Sequence, residues 1–401
     1  MTKGHAAPAF AAPELRRSRA GPPAGSFRNT SQRPGGQDAL QTTTGSTDPR
    51  TTPASPGRVV SIQYLRALAA LAVVVYHVLG EPAVIGAAGV DVFFVISGFV
   101  IGLITTGRTV DPIGFAYDRA ARILPLYWIF TLLLMAVKVA APDVLPRIPL
   151  DTAWFIKSLL LVPVDRPGGT GTFPLLYQGW TLWYEALFYA LVLAAVLAAP
   201  ARLARAMTLA IAALVLAGMV LRPSSTVLAV YTDPLLVEFL IGYWFAVLRA
   251  EGLRPPAGAG GLLLACGIAG FAAAATLAGA PDGWPRLAFW GLPAAALVIG
   301  AVVLDDRGRV GDLRLPRLLG DASYAIYLSH GIVVSALLVA GRRLGMPLAD
   351  PMGQPLLALA ICVLVTMAGV AVHVALERPM MAWFRRRRPG ARAAAAPRVA
   401  A

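Results

Sequence analysis

Ser61-Ile-Gln-Tyr-Leu-Arg66-Ala-Leu-Ala-Ala-Leu-Ala-Val-Val-Val-Tyr-His77-Val78 is the first stretch of this chain long and apolar enough to cross a bilayer. It carries a guanidinium and an imidazole within one hydrophobic run. A charged side chain near the centre of a spanning helix costs about 2.5–3.5 kcal/mol on insertion scales. Arg66 and His77 are related as Arg-x10-His. At about 100° per residue they return to nearly the same helix face, roughly 16 Å apart along the axis. One face therefore shows a fixed cation toward one membrane surface and a titratable base toward the other.

The composition extends this reading to the whole chain. Of 401 residues 57% are hydrophobic and only 14% charged, and the mean hydropathy is +0.66. Runs of apolar residues recur with the length of a membrane span, at about 60–79, 88–107, 121–140, 180–199, 204–221, 230–249, 261–279, 286–304, 322–341 and 355–376. The expected fold is an all-α integral membrane protein, a bundle of about ten transmembrane helices. Trp154–Pro163 is apolar but too short to cross, so it reads as interfacial or re-entrant. Residues 1–58, rich in Pro, Gly, Ser, Thr and Arg, read as a disordered basic tail. Residues 59–378 form the membrane domain and 379–401 a basic C-terminal tail.

Charge sets the orientation. With the N-terminus inside, the inner segments hold 26 Lys and Arg and the outer loops 7. That bias predicts both termini in the cytoplasm, with Arg385–Arg388 as an anchor. The net charge of +14 follows from tails and alternate loops, so nucleic-acid binding is not expected. Cys266 and Cys362 both lie in apolar runs and imply neither a disulfide framework nor a zinc site. Glu81 follows His77 by four positions, but two ligands do not make a metal site and none is expected.

Depth follows from topology. His77 near the outer end of the first span, Asp91 near the outer end of the second and Glu185 in the fourth are expected to share one layer. Arg119 and Arg122, on one helix face, belong with Arg66 in an inner layer. Ser97 and His330 lie between. A cationic inner mouth suits a phosphorylated ligand, gripped bidentately by guanidinium groups. A His beside a carboxylate suits general-base work on a hydroxyl. Blander readings remain open at this point. Arg119 and Arg122 alone would serve as membrane anchors, Asp91 and Glu185 would face headgroup water, and His330 would be a core histidine. His373 and Glu377 read as structural.

At these residues the chain resembles the acyltransferase 3 family of integral-membrane acyltransferases. The resemblance covers nearly all of residues 58–380 and rests on five segments in order. They are Leu65-Arg66 with His77, Gly89-Val-Asp-Val-Phe-Phe-Val-Ile-Ser97-Gly-Phe99, and Arg119-x-x-Arg122-Ile-x-Pro125-x-Tyr-Trp128. Trp180-Thr-Leu-Trp-Tyr-Glu185 and Gly320-Asp-Ala-Ser323-Tyr-Ala-Ile-Tyr-Leu-Ser-His330 follow. Thr181 stands where the family usually has Ser and keeps the hydroxyl. The resemblance implies acyl transfer from cytosolic acyl-CoA, usually acetyl-CoA, to a hydroxyl of a carbohydrate or lipid-linked glycan. The setting it implies is the bacterial cytoplasmic membrane, with the exopolysaccharide and lipopolysaccharide sugar-modifying members as the nearest type. Acyl-CoA is then a substrate, and no permanently bound cofactor is implied.

The residues allow a specific scheme. Arg119 and Arg122 would hold the phosphates of CoA, with its arm passing Arg66. That arm, on the order of 15–20 Å, matches the rise of about 16 Å from Arg66 to His77. His77, oriented by Asp91 or Glu185, would take the acceptor's proton. Tyr184, Ser97 or Trp180 would stabilise the oxyanion, and His330 lies on the path. A covalent acyl-histidine intermediate is a variant of the same scheme. A transporter or flippase of a lipid-linked glycan is the alternative reading, disfavoured by the lack of an evident internal repeat.

Overall fold

The apolar run around Arg66 and His77 folds as a single helix, α1 (Val60–Leu79), which ends at Gly80. Gly80 has a positive φ of 69°, and its N–H closes the last turn on the Tyr76 carbonyl at 2.7 Å. This left-handed position suits glycine, and it turns the chain back toward the second span. At the other end of α1 the Ser61 N–H has no carbonyl one turn earlier, and the Asp305 carboxylate accepts it at 2.8 Å.

The computed structural model describes residues 59–389 except 147, 170, 278 and 344–353. The expected tail at 1–58 and the last residues of the chain lie outside the described residues. After α1 come α2 (Gly89–Thr105), led in by a 3-10 segment Glu81–Ala88, then α3 (Pro112–Ala140) and a short α4 (Thr152–Leu159). Next are α5 (Trp180–Ala198), α6 (Leu203–Leu221), α7 (Thr226–Tyr231) and α8 (Leu236–Ala250). Then follow α9 (Ala257–Leu277), α10 (Gly283–Arg286), α11 (Leu292–Asp306) and α12 (Arg314–Asp321). The last three are α13 (Ser323–Arg343), α14 (Pro355–Val372) and α15 (Arg378–Arg386). Ten helical segments among the described residues are long and apolar enough to cross a membrane, with α7–α8, α10–α11 and α14–α15 each forming one continuous segment. This is a multi-pass, all-α membrane protein. An even number of crossings brings the start of α1 and the end of α15 to the same end of the bundle.

Two boundaries differ from the sequence reading. The third span begins at Pro112 rather than near 121, because Asp111 caps it, accepting the N–H groups of Ile113 (3.2 Å) and Gly114 (3.0 Å). A capping Asp followed by Pro at the first helical position is a helix start. Arg119, like Arg122, therefore sits within the third helix rather than ahead of it. The tenth span continues through a π-type turn at His373–Glu377 into α15, so residues 379–386, grouped above with the tail, are helical. The Trp154 segment is the short helix α4, too short to cross.

Helix α2 lies at the centre, with most of its residues buried, while α6 and α9 expose Leu209, Leu216, Leu262 and Ile268 to the lipid side. The crossing of α2 with α8 is the tightest approach. A Cβ built on Gly98 would sit 1.9 Å from the Phe239 carbonyl oxygen, and one on Gly242 would sit 1.9 Å from that of Val95. Small residues on both helices let the backbones touch, which is how apolar helices associate where lipid supplies no hydrophobic drive. Gly98→Ala or Gly242→Ala is expected to force the two helices apart, at a cost of about 1–3 kcal/mol. A lowered melting temperature in detergent checks this, and an unchanged one contradicts the packing.

Candidate active site

Two chambers lie inside the bundle, one toward each end of α1. The first is built from arginines, and about 820 Å³ of atom-free space, part of it open to solvent, lies among its walls. Arg66 comes from α1, Ser97 from α2, Arg119 and Arg122 from α3, Glu185 and Tyr189 from α5, and Ser323 and Tyr324 from the start of α13. The three-residue spacing of Arg119 and Arg122 puts both on one face of α3, as their pattern requires. Arg122 donates to Glu377 at 2.5 Å and lies over the Tyr324 ring at 5.1 Å. Glu377, only 2% exposed, also holds His373 at 2.7 Å. Arg66 donates its Nε–H to Ser323 Oγ at 3.1 Å. Arg119 lies over the Tyr189 ring at 5.8 Å, and its buried Nε has no hydrogen-bond partner. Neither Arg66 nor Arg119 has a carboxylate within ion-pair distance among the described residues. The lining thus holds three arginines and one carboxylate, Glu185, while Glu377 and Asp321 act on the arginines from outside it.

The second chamber surrounds His77 near the end of α1. It is lined by Tyr76, Tyr177, Gln178, Trp180, Asp282 and Arg286, among others. His77 Nδ1 lies 2.9 Å from the Val73 carbonyl oxygen. A carbonyl only accepts, so Nδ1 carries the proton and Nε2 keeps its lone pair. The ring of His77 is thus oriented by the turn of its own helix. Its ring stands 4.6 Å from that of His330. His330 is fully buried and has both nitrogens occupied: Nδ1 is 2.5 Å from the Tyr327 carbonyl oxygen and Nε2 is 3.2 Å from the Gln178 amide. His330 therefore lines neither chamber and packs behind His77, not on the expected path.

The chambers share Val90 and Tyr327 as lining residues. The Tyr327 hydroxyl meets Thr181 Oγ1 at 3.1 Å and the Gln178 carbonyl at 3.2 Å. This latch, fixed by the hydroxyl that Thr181 keeps, forms the partition between the arginines and His77.

The structure corrects the expected single layer of His77, Asp91 and Glu185. Glu185 belongs to the arginine chamber, where it accepts from Tyr189 at 2.5 Å and from Ser97 at 3.3 Å. It lies about 8 Å down α5 from Trp180, enough to move it past the partition. Asp91 stays at the His77 end but turns away, forming a two-pronged ion pair with Arg286 at 2.9 and 3.0 Å. Neither carboxylate orients His77; the Val73 carbonyl does. Of the three expected oxyanion donors, Ser97 is in the other chamber. Tyr184 is buried against Phe94 and Trp180, and only Trp180 lines the His77 chamber.

Arg286, Glu238 and Tyr327 were missed. Glu238, fully buried in α8, is close enough to the Asp91–Arg286 pair to act on both, and neither carboxylate oxygen has a hydrogen-bond partner. A carboxylate in the middle of an apolar span was a usable signal. Arg286 offered less, because a cation at a span end reads as an ordinary loop charge.

Ten helices long and apolar enough to cross a membrane thus enclose an arginine-lined chamber beside one that holds a histidine. The family profile described as an acyltransferase domain matches residues 59–374. The chain belongs to the acyltransferase 3 family and is an acyltransferase. It is 40% identical over 311 residues to the exopolysaccharide production protein ExoZ of Rhizobium meliloti (strain 1021), covering 77% of this chain and 94% of that one. It is 28% identical over 384 residues to the acyltransferase MdmB of Streptomyces mycarofaciens, covering 84% of this chain and 96% of the relative. No solved structure matches it significantly.

Proposed function

We propose that the chain transfers an acyl group, acetyl in the first instance, from acyl-CoA to a hydroxyl of a cell-surface or lipid-linked carbohydrate. One observation carries this reading: a histidine whose Nε2 has no hydrogen-bond partner among the described residues lies in a chamber that shares Val90 and Tyr327 as walls with a chamber of three arginines. The arginines suit the phosphates of CoA, and Arg119, without a carboxylate partner, is the most available of them. The pantetheine arm runs from there past Arg66 and Tyr327 to His77. The acceptor's hydroxyl oxygen attacks the thioester carbonyl carbon as its proton passes to His77 Nε2. The new C–O bond forms, the C–S bond breaks, and the thiolate leaves with that proton as free CoA thiol.

The acceptor side fits a sugar. Tyr76, Tyr177 and Trp180 offer ring faces for C–H patches, and the Asp282 carboxylate accepts from hydroxyls. The relative named for exopolysaccharide production supports a polysaccharide-related acceptor. The charge bias of the loops supports a cytosolic arginine chamber in a bacterial cytoplasmic membrane. Membranes containing the chain, given radiolabelled acetyl-CoA and chemically de-O-acylated exopolysaccharide of the producing cell, are expected to label the polysaccharide. A transporter or flippase would consume no thioester, and that result would overturn the proposal.

A further inference from the structure

We infer that Arg286 is a catalytic residue of the His77 chamber, donating through its guanidinium to the thioester carbonyl oxygen as that oxygen becomes an oxyanion. The inference rests on the acyl-transfer reading of the chamber and deepens it.

The argument starts from how Arg286 is held. Its Nε and Nη2 both donate to Asp91, at 3.0 and 2.9 Å. The guanidinium carbon lies over the ring of Trp180 at 5.4 Å and of Trp290 at 5.1 Å. Asp91 is fully buried and Arg286 is 8% exposed. Two prongs and two ring faces fix the plane of the group, which suits a donor that must be in place before charge develops. The third corner of the fork, Nη1, has no hydrogen-bond partner among the described residues. Arg286 and His77 line the same chamber, and Arg286 is its one arginine or lysine. A base and a donor facing one small space are the two groups that addition to a carbonyl requires.

Other donors are worse placed. Ser97 is committed to Glu185 across the partition, and Tyr184 lines neither chamber. Trp180 lies beneath the guanidinium and supports it. In the step itself the acceptor oxygen bonds to the carbonyl carbon, and the carbonyl π electrons move onto the oxygen facing Nη1. The oxyanion then collapses, the C–S bond breaks, and the thiolate takes the proton held by His77. Charges balance throughout, and no other reactant is needed. Asp91 is then a positioning residue acting through Arg286.

A purely structural ion pair between α2 and α10 would leave turnover per folded molecule unchanged, which separates the two roles. Arg286→Lys keeps a cation beside Asp91 but loses the fork, and Arg286→Gln removes the charge. Both are measured in detergent with radiolabelled acetyl-CoA and de-O-acylated exopolysaccharide, with rates normalised to protein that shows a cooperative melt. Arg286→Gln is expected to lower kcat about 10²–10³-fold with the KM for acetyl-CoA little changed, as for the loss of one oxyanion donor. Arg286→Lys is expected to lower kcat about tenfold or more. If Arg286→Gln does not fold, Arg286→Lys decides. A kcat for folded Arg286→Lys within about twofold of the parent, beside an inactive His77→Ala, overturns the Arg286 role alone. A parent protein that transfers no label overturns the acyl-transfer reading beneath it.

Discussion

His77→Ala is expected to lower acyl transfer about 10²–10⁴-fold, the range for loss of a general base, while the protein still inserts and melts normally. The imidazole packs against the rings of Tyr76, Tyr177 and His330. Its one hydrogen bond runs to the Val73 carbonyl of its own helix, and its other nitrogen faces the chamber. The KM for acyl-CoA is expected to change little, because the proposed phosphate contacts lie across the partition. His330→Gln is the control. Its nitrogens already serve the Tyr327 carbonyl and Gln178, so it should lose less activity than His77→Ala. Kinetics of the two variants in the same membranes check this. Near-normal transfer by His77→Ala would remove the base from the scheme.

Arg119→Ala is expected to act on donor binding instead, raising the KM for acetyl-CoA about tenfold or more with kcat nearly unchanged. Arg119 is the better probe of the two arginines on α3. Arg122 is tied to the buried Glu377, and its removal leaves that carboxylate without its cation, a change that costs about 3–5 kcal/mol in buried pairs. Donor truncation gives the matching test. Acetyl-pantetheine lacks the nucleotide phosphates, so the parent protein should prefer acetyl-CoA strongly and Arg119→Ala much less. Equal preference in both proteins would place the phosphates elsewhere.

The sequence made the membrane architecture legible because each span is a long apolar run, and such runs have few alternative fates. The start of α3 was less legible. The apolar run begins near Ala121, but the Asp111-Pro112 cap extends the helix eight residues toward the N-terminus. The grouping of Arg66, Arg119 and Arg122 was legible because they are costly residues at helical spacing. What failed was the pairing of carboxylates. Depth along a span can be counted from sequence, but facing cannot. Asp91 was placed at the right level, yet its partner lies 195 positions away on α10. Glu185 was placed one partition too high although the start of its span at Trp180 was read correctly, because a turn and a half of helix is enough to separate the two chambers.

The geometry also gives Thr181 and Tyr327 a role that their motifs alone did not. Their hydroxyl contact lies where the two chambers meet. In the proposed scheme an acyl group passes this point while the bulk of CoA stays behind. The central claim is thus that the thioester is used across the membrane's thickness, with donor and acceptor approaching from opposite ends of one bundle.

Sealed inside-out vesicles test that claim most directly, with labelled acetyl-CoA added outside and de-O-acylated exopolysaccharide trapped within. The label is expected in the trapped polysaccharide while all the CoA thiol produced remains outside, and His77→Ala vesicles should show neither. Transfer that occurs only when acetyl-CoA and polysaccharide share a compartment would contradict it.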